Sequence, residues 1–216
     1  MPVTGNIVFY TTFFKQSGCI GAVVRGYLRR IMIRLFVALR PPPAIRQSLL
    51  DIMEGVPSAR WQDDDDLHVT LRFVGEVERP LAEDVAVALS QVVAPTPSVS
   101  LSGVGRFEKR GRTDTLWAGV TPHDALAALH RKVDQACVRA GFPPEHRAYL
   151  PHITVARLAR SAGVGFAIDE WLATHAALSS APFPLPHLVL YQSHLGRDGA
   201  TYEPVARWAL DSGDGT

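Results

Sequence analysis

Residues 67–77, LHVTLRFVGEV, and residues 150–158, LPHITVARL, each set a histidine and a threonine two positions apart in a run that otherwise reads as a buried strand. Side chains alternate along a strand. His68 and Thr70 therefore share one face, while Val69, Leu71 and Phe73 point the other way into apolar packing. In the second copy His152 and Thr154 share a face opposed by Ile153 and Val155. A lone histidine in a strand is usually packed or at the surface. The same His-x-Thr in two strands asks for one explanation.

Apolar spacing around these stretches supplies the map. Ile33, Leu35 and Val37 alternate with Arg34, Phe36 and Ala38 in a strand of little polar character, which implies burial on both faces. PPPAIRQSLLDIMEG (41–55) reads as a helix with Pro43 in its first turn and Gly55 ending it. The His68 strand follows, then a helix in RPLAEDVAVALSQVV (79–93), then strands around VSLSGVGRF and TLWAGV joined by a polar tip. The order then repeats: a helix in HDALAALHRKVDQACVRAG, the His152 strand, a shorter helix in GFAIDEWLATH, and two strands around the turn GRDG. Helix, His-x-Thr strand, helix, strand, strand thus occurs twice, an internal repeat in architecture. The expected fold is α+β: two pseudo-symmetric lobes of mostly antiparallel sheet backed by helices, with a central cleft. A pseudo-two-fold axis would bring His68 and His152 together there.

The chain of 216 residues, 47% hydrophobic and 20% charged, is long enough for a substantial core. A formal charge of +1 gives no global attraction to a polyanion, so any nucleic-acid contact is local. Cys19 and Cys137 show neither a disulfide framework nor a thiolate metal spacing, which fits a reducing cytoplasm. No apolar run is long enough to span a bilayer, and the start lacks a secretory pattern. Residues 1–31 show no sustained periodicity and read as an N-terminal extension. A mobile segment, an interaction arm and the product of an upstream start codon all remain open. The domain is expected over 32–212, as a monomer.

Two imidazoles and two hydroxyls converging on one point suit a phosphate. Hydroxyls donate to its non-bridging oxygens, and two histidines divide the proton work of a phosphoester reaction near neutral pH. Such a division makes a metal unnecessary. By spacing alone the two histidines are interchangeable.

With its paired HxTx motifs, RLFVAL (34–39), LWAGV (116–120), PHITVAR (151–157) and the closing LVLYQSHLGRDGATYEPVARWAL, the chain resembles the two-histidine phosphoesterases. Within them it is similar to the bacterial and archaeal RNA 2',3'-cyclic phosphodiesterases, also called 2'-5' RNA ligases. That resemblance implies hydrolysis of a 2',3'-cyclic phosphate at an RNA end to a 2'-phosphate, with reversible 2'-5' ligation as a side activity. It implies His68 as proton donor, His152 as proton acceptor, Thr70 and Thr154 as phosphate-binding residues, and no metal or cofactor. Arg157 matches a phosphate-neutralising arginine of the family, but strict alternation puts it opposite His152, so it reaches the site only if the strand ends or bulges. The partners implied are RNA ends or nucleotide cyclic phosphates. A phosphodiesterase acting on a small cyclic nucleotide and a non-catalytic RNA-end-binding module are the alternatives.

Other features have ordinary readings. The aspartates 63–66 sit in an expected loop and diverge into solvent. His123, His130, His146, His175, His187 and His194 show no ligand spacing; His146 is nearest in sequence to His152 and the best placed of them to touch substrate. Arg106, Lys109, Arg110 and Arg112 form one local basic cluster at a hairpin tip, suited to an RNA backbone or to simple turn chemistry. Phe36, Trp117 and Tyr191 are candidates for stacking on a base, whereas parity assigns Phe73 to the core. Neither GVGRF nor SAGVGF forms a phosphate-binding loop.

Overall fold

Strand β2 (Met32–Leu39) buries both of its faces, as its composition requires. Ile33, Leu35, Val37 and Leu39 enter the main core, whereas Phe36 and Ala38 enter a small separate cluster with Val189 and Tyr191. One strand thus separates two environments. The first is packed by helices, and the second is the face that carries the histidines.

The computed structural model describes residues 8–9, 32–57, 59–159, 165–196 and 199–211. Besides β2, these form β1 (Val8–Phe9), α1 (Pro43–Leu50), β3 (Ala59–Trp61), β4 (Val69–Glu78), α2 (Arg79–Ser90), β5 (Ser98–Lys109), β6 (Arg112–Thr121), α3 (Asp124–Arg139), β7 (His152–Leu158), α4 (Phe166–Thr174), β8 (Phe183–Pro184), β9 (His187–Gly196) and β10 (Gly199–Ala209). Prolines open α1 and α2, where a missing N–H costs nothing. Ile45 and Leu49 of α1, Val85 and Leu89 of α2, Leu126, Leu129 and Val133 of α3, and Trp171 of α4 pack on the same core as the odd-numbered β2 residues. The Trp171 indole donates to the Ile52 carbonyl at 2.8 Å, which ties α4 to the segment after α1.

The strands run β1-β10-β9-β2-β4-β7-β6-β5-β8, with every named pairing antiparallel and β3 attached to β7. The expected α+β arrangement with two related halves is therefore present. Each half includes a hairpin supplied by the opposite repeat: β5–β6 lies beside β7, and β9–β10 lies beside β2. Among the described residues, β4 and β7 pair in register only at Val69 and Ile153. Beyond it the strands part, and β3 takes the place next to Ala156, Arg157 and Leu158. Of residues 1–31 only Val8–Phe9 are described, and they pair with Arg207 and Ala206 at the sheet edge. The rest of that extension, Cys19 included, lies outside the described residues, as does 212.

Both His-x-Thr strands bulge directly after the threonine. On β4 the partners step from Thr70 to Arg72, leaving Leu71 extra, and from Phe73 to Gly75, leaving Val74 extra. On β7 they step from Thr154 to Ala156, leaving Val155 extra. An extra residue reverses the parity of the residues beyond it. Arg72 therefore points under the sheet and is only 8% exposed, while Phe73 emerges on the histidine face and is 53% exposed. This corrects the sequence reading that put Phe73 in the core. Arg157 emerges in the same way.

A buried guanidinium needs partners. Arg72 lies 2.8 Å from Asp134 of α3 and 3.3 Å from Glu145, and donates to the Pro143 carbonyl at 2.6 Å. The bulge carbonyl of Leu71 accepts from His130 Nδ1 at 2.7 Å. These contacts pin the bulge to α3 and to the loop before β7. Replacing Arg72 by methionine leaves the half-buried Asp134 carboxylate without its guanidinium and Glu145 with Arg147 alone, so Arg72→Met is expected to lower the unfolding free energy by about 2–4 kcal/mol. Urea denaturation with an unchanged m-value checks this.

Candidate active site

The Val69–Ile153 pair fixes the geometry of the cleft. Extending the antiparallel register one residue either way sets His68 opposite Thr154 and Thr70 opposite His152. All four side chains rise on the face away from the helices and are half-buried, while Val69, Leu71, Ile153 and Val155 are buried beneath. Opposed Cβ atoms in such a pair are about 5 Å apart and diagonal ones about 7–8 Å. The histidines occupy one diagonal and the threonines the other. At that separation two imidazoles and two hydroxyls can reach one phosphate-sized group.

Aromatic rings hold each imidazole. Phe36 and Tyr202 lie 4.9 and 5.2 Å from the His68 ring, and Phe36 is stacked on Tyr191. Phe107 meets the His152 ring edge-on at 4.8 Å, with Trp117 at 6.1 Å. Trp117 lies flat over Gly105, where a Cβ would collide with the indole. Phe36, Trp117 and Tyr191 thus all stand on the histidine face, although their first contacts are with protein rings.

The rings differ in what holds their nitrogens. Leu150 accepts from His152 Nδ1 at 2.7 Å, which puts the ring proton there and leaves the lone pair on Nε2. Burial lowers the His152 pKa, with the Leu150 carbonyl opposing and the Arg157 charge reinforcing. Burial lowers His68 further, to about 4; the Asp66 backbone opposes this, and the charges of Arg157 and His152 add to it. Each imidazole is therefore held towards its neutral form.

Arg157 reaches the histidine face because of the Val155 bulge, the condition its position in the sequence required. Its Nη1 donates to the buried Thr115 hydroxyl at 3.0 Å, and its charge is felt at His68, His152 and Tyr202. Arg60 of β3 pairs in register with Arg157, and its guanidinium lies on Gly199, leaving no room for a Cβ there. Sequence reading missed Arg60, because a three-residue strand has no periodicity to detect.

The aspartate run is solvated only in part: Asp63 and Asp65 are exposed as expected, whereas Asp64 and Asp66 are half-buried. Asp64 accepts from Arg46 at 2.8 Å and from Arg40 at 3.0 Å, and Asp65 accepts from Arg40 at 2.6 Å. Burial beside Asp63 and Asp65 pushes the Asp66 carboxyl up to about 6, with Arg60 opposing. Among the described residues no cluster of His, Cys, Asp and Glu could hold a metal ion. At the hairpin tip, Arg106 pairs with Glu108 at 2.9 Å and with Asp169 of α4 at 2.6 Å. His146 is exposed and does not line the cavity beside His152. No helix among the described residues is long and apolar enough to cross a membrane.

A fold of two repeated halves, with a His-x-Thr on each of the strands that join them, defines a family. Residues 38–197 match the model of the 2'-5' RNA ligase superfamily, and the chain belongs to it. It is 32% identical over 162 residues to the RNA 2',3'-cyclic phosphodiesterase of Geobacillus stearothermophilus, covering 74% of this chain but 50% of that protein. It is 29% identical over 152 residues to the protein of the same name from Aeropyrum pernix, covering 70% of this chain and 85% of that one. The crystal structure of E. coli LigT in apo form superposes with a TM-score of 0.66 at 25% identity, covering 84% of this chain and 99% of that one.

The depressed His68 pKa has a consequence for stability. The unfolded imidazole takes a proton near pH 6.5, the folded one only near 4. Between these values the unfolded state binds more protons, so His68 destabilises the fold as pH falls from 6.5 towards 4. Asp66 shifts the opposite way, so the wild type must be compared with a His68 variant. His68→Gln is expected to lose less stability than wild type between pH 7 and pH 5, by on the order of 1 kcal/mol in urea melts. Equal losses would show that the imidazole is not held neutral.

Proposed function

We propose that the chain hydrolyses RNA 2',3'-cyclic phosphate ends to 2'-phosphates by metal-independent acid–base catalysis at His68 and His152. The observation that carries this reading is the square of two imidazoles and two hydroxyls around one anion-sized space, set by the Val69–Ile153 pair. The names of the relatives support the substrate class. Thr70 and Thr154 donate to the non-bridging oxygens, and Arg157 neutralises the phosphate charge.

His152 acts as base: with Nδ1–H held by Leu150, its Nε2 can take a proton from water. His68 acts as acid and protonates the departing 3' oxygen. In the free protein it is neutral at pH 7, so the entering phosphate must recharge it, since a nearby anion favours imidazolium. The phosphorus–O3' bond breaks as water adds, leaving the 2'-phosphate and a 3'-hydroxyl. Two proton carriers and a guanidinium supply both proton transfers and charge stabilisation without a Lewis acid. By reversibility, an alcohol in place of water gives 2'-5' ligation.

The test is incubation in EDTA with an oligonucleotide ending in a 2',3'-cyclic phosphate. A 2'-phosphate product is expected, and His68→Ala and His152→Ala are each expected to lose roughly 10²- to 10⁴-fold in kcat. A 3'-phosphate product, a need for added metal, or binding without turnover would contradict the mechanism. The pH profiles give a second check. With both imidazoles depressed in the free protein, the kcat/KM bell is expected to centre below pH 6.5, and the kcat bell of the phosphate-bound enzyme to lie at higher pH.

A further inference from the structure

The two bulges place Phe73 and Arg157 at equivalent positions, five residues after His68 and His152 respectively. The internal symmetry that repeats the catalytic pair is thus broken on its flanks. Running from His152 past Thr154, β7 delivers Arg157 to the His68 side. Running from His68 past Thr70, β4 delivers Phe73 to the His152 side. There a cavity of about 210 Å³ opens beside His152 and Thr70, walled by Phe73, Phe107, Tyr149 and Leu150, with Arg147 at its rim. Phe73 and Leu150 are large apolar side chains left 53% and 41% exposed. Arg147 stands outside on the loop before β7, paired to Glu145 at 2.8 Å.

We infer that this cavity is a second nucleoside subsite, which takes the 5'-terminal nucleoside of an RNA strand and presents its 5'-hydroxyl to His152. The inference rests on the acid–base assignment above. In-line displacement puts the nucleophile opposite the departing O3'. The ribose of the cyclic phosphate carries both O2' and O3', so the donor strand lies on the His68 side with its leaving oxygen. Whatever attacks stands on the His152 side, beside the base. Water needs no apolar walls there. A planar heterocycle does: it stacks on an exposed ring such as that of Phe73 without regard to sequence, and the cavity has room for one nucleoside rather than a longer chain. The rim guanidinium of Arg147 meets the first phosphodiester of the acceptor strand.

The chemistry balances within the site. The 5' oxygen bonds to phosphorus as the phosphorus–O3' bond breaks. The 5'-hydroxyl proton passes to His152 and His68 protonates O3', leaving a 2'-5' phosphodiester and a free 3'-hydroxyl. The same subsite serves the reverse cleavage. Hydrolysis then differs from ligation only in what occupies this cavity.

The experiment supplies the full chain, in EDTA, with a cyclic-phosphate-ended oligoribonucleotide donor. Either adenosine or a 5'-hydroxyl trinucleotide serves as acceptor, and ligated and hydrolysed products are counted against acceptor concentration. Phe73→Ala is expected to raise the half-saturating concentration of both acceptors roughly tenfold or more, while acceptor-free hydrolysis stays within twofold and the melting temperature is unchanged. Phe73→Tyr, which keeps the ring, should retain wild-type saturation. Arg147→Ala should weaken the trinucleotide and not adenosine, with a shallower salt dependence. Unchanged acceptor saturation in Phe73→Ala would overturn the inference. So would parallel loss of hydrolysis in that variant, which would assign the cavity to the donor's own base. A wild type that hydrolyses but never ligates overturns this inference alone, whereas one that does not hydrolyse overturns the proposed function beneath it.

Discussion

Everything at the site depends on one registered pair. Val69 and Ile153 are fully buried, and among the described residues they are the only ones through which β4 and β7 pair. Because strand side chains alternate, their burial against the helices forces the residues on either side, His68 and Thr70 on one strand and Thr154 and His152 on the other, onto the opposite face. A one-residue slip of either strand would bury its imidazole among the helices and turn its valine or isoleucine to the opposite face. Packing of the core and assembly of the proposed phosphate site are therefore one constraint. The strands part after this pair, and that divergence makes a cleft instead of a flat sheet.

The same frame is symmetric in backbone and asymmetric in chemistry. Both strands bulge after the threonine, yet the residues the bulges expose are an arginine on one side and a phenylalanine on the other. Both residues the bulges bury are likewise different: Ala156 needs nothing, whereas Arg72 needs Asp134, Glu145 and a carbonyl to be tolerated. The imidazoles inherit this difference. One has its Nδ1 proton fixed by Leu150, and the other lies deeper, near the cationic flank. On the proposed mechanism, the repeated scaffold thereby separates an acid role from a base role, which identical halves could not do.

Much of this was legible in the sequence. β2 was recognisable because its apolar residues run without a break, and the paired His-x-Thr strands because a polar pair recurs in an apolar alternation at matching points of a repeat. The bulges are not legible: local parity assumes one residue per rung, which places Phe73 in the core and makes Arg157 depend on a bulge that the structure contains. Arg60 and β8 escaped because elements of two or three residues leave no period. The aspartate run was read as solvated because its arginine partners, Arg40 and Arg46, lie on a different element. Phe107 and Tyr202 gave no signal at all, since each reaches its histidine across strands far apart in the chain.

The central claim is that both histidines address one anion, and a structure of the full chain with orthovanadate bound tests it most directly. The vanadium is expected midway between the Nε2 atoms of His68 and His152, with the Thr70 and Thr154 hydroxyls and the Arg157 guanidinium on its oxygens. An anion that contacts one imidazole and not the other, or that settles away from both, would contradict the account.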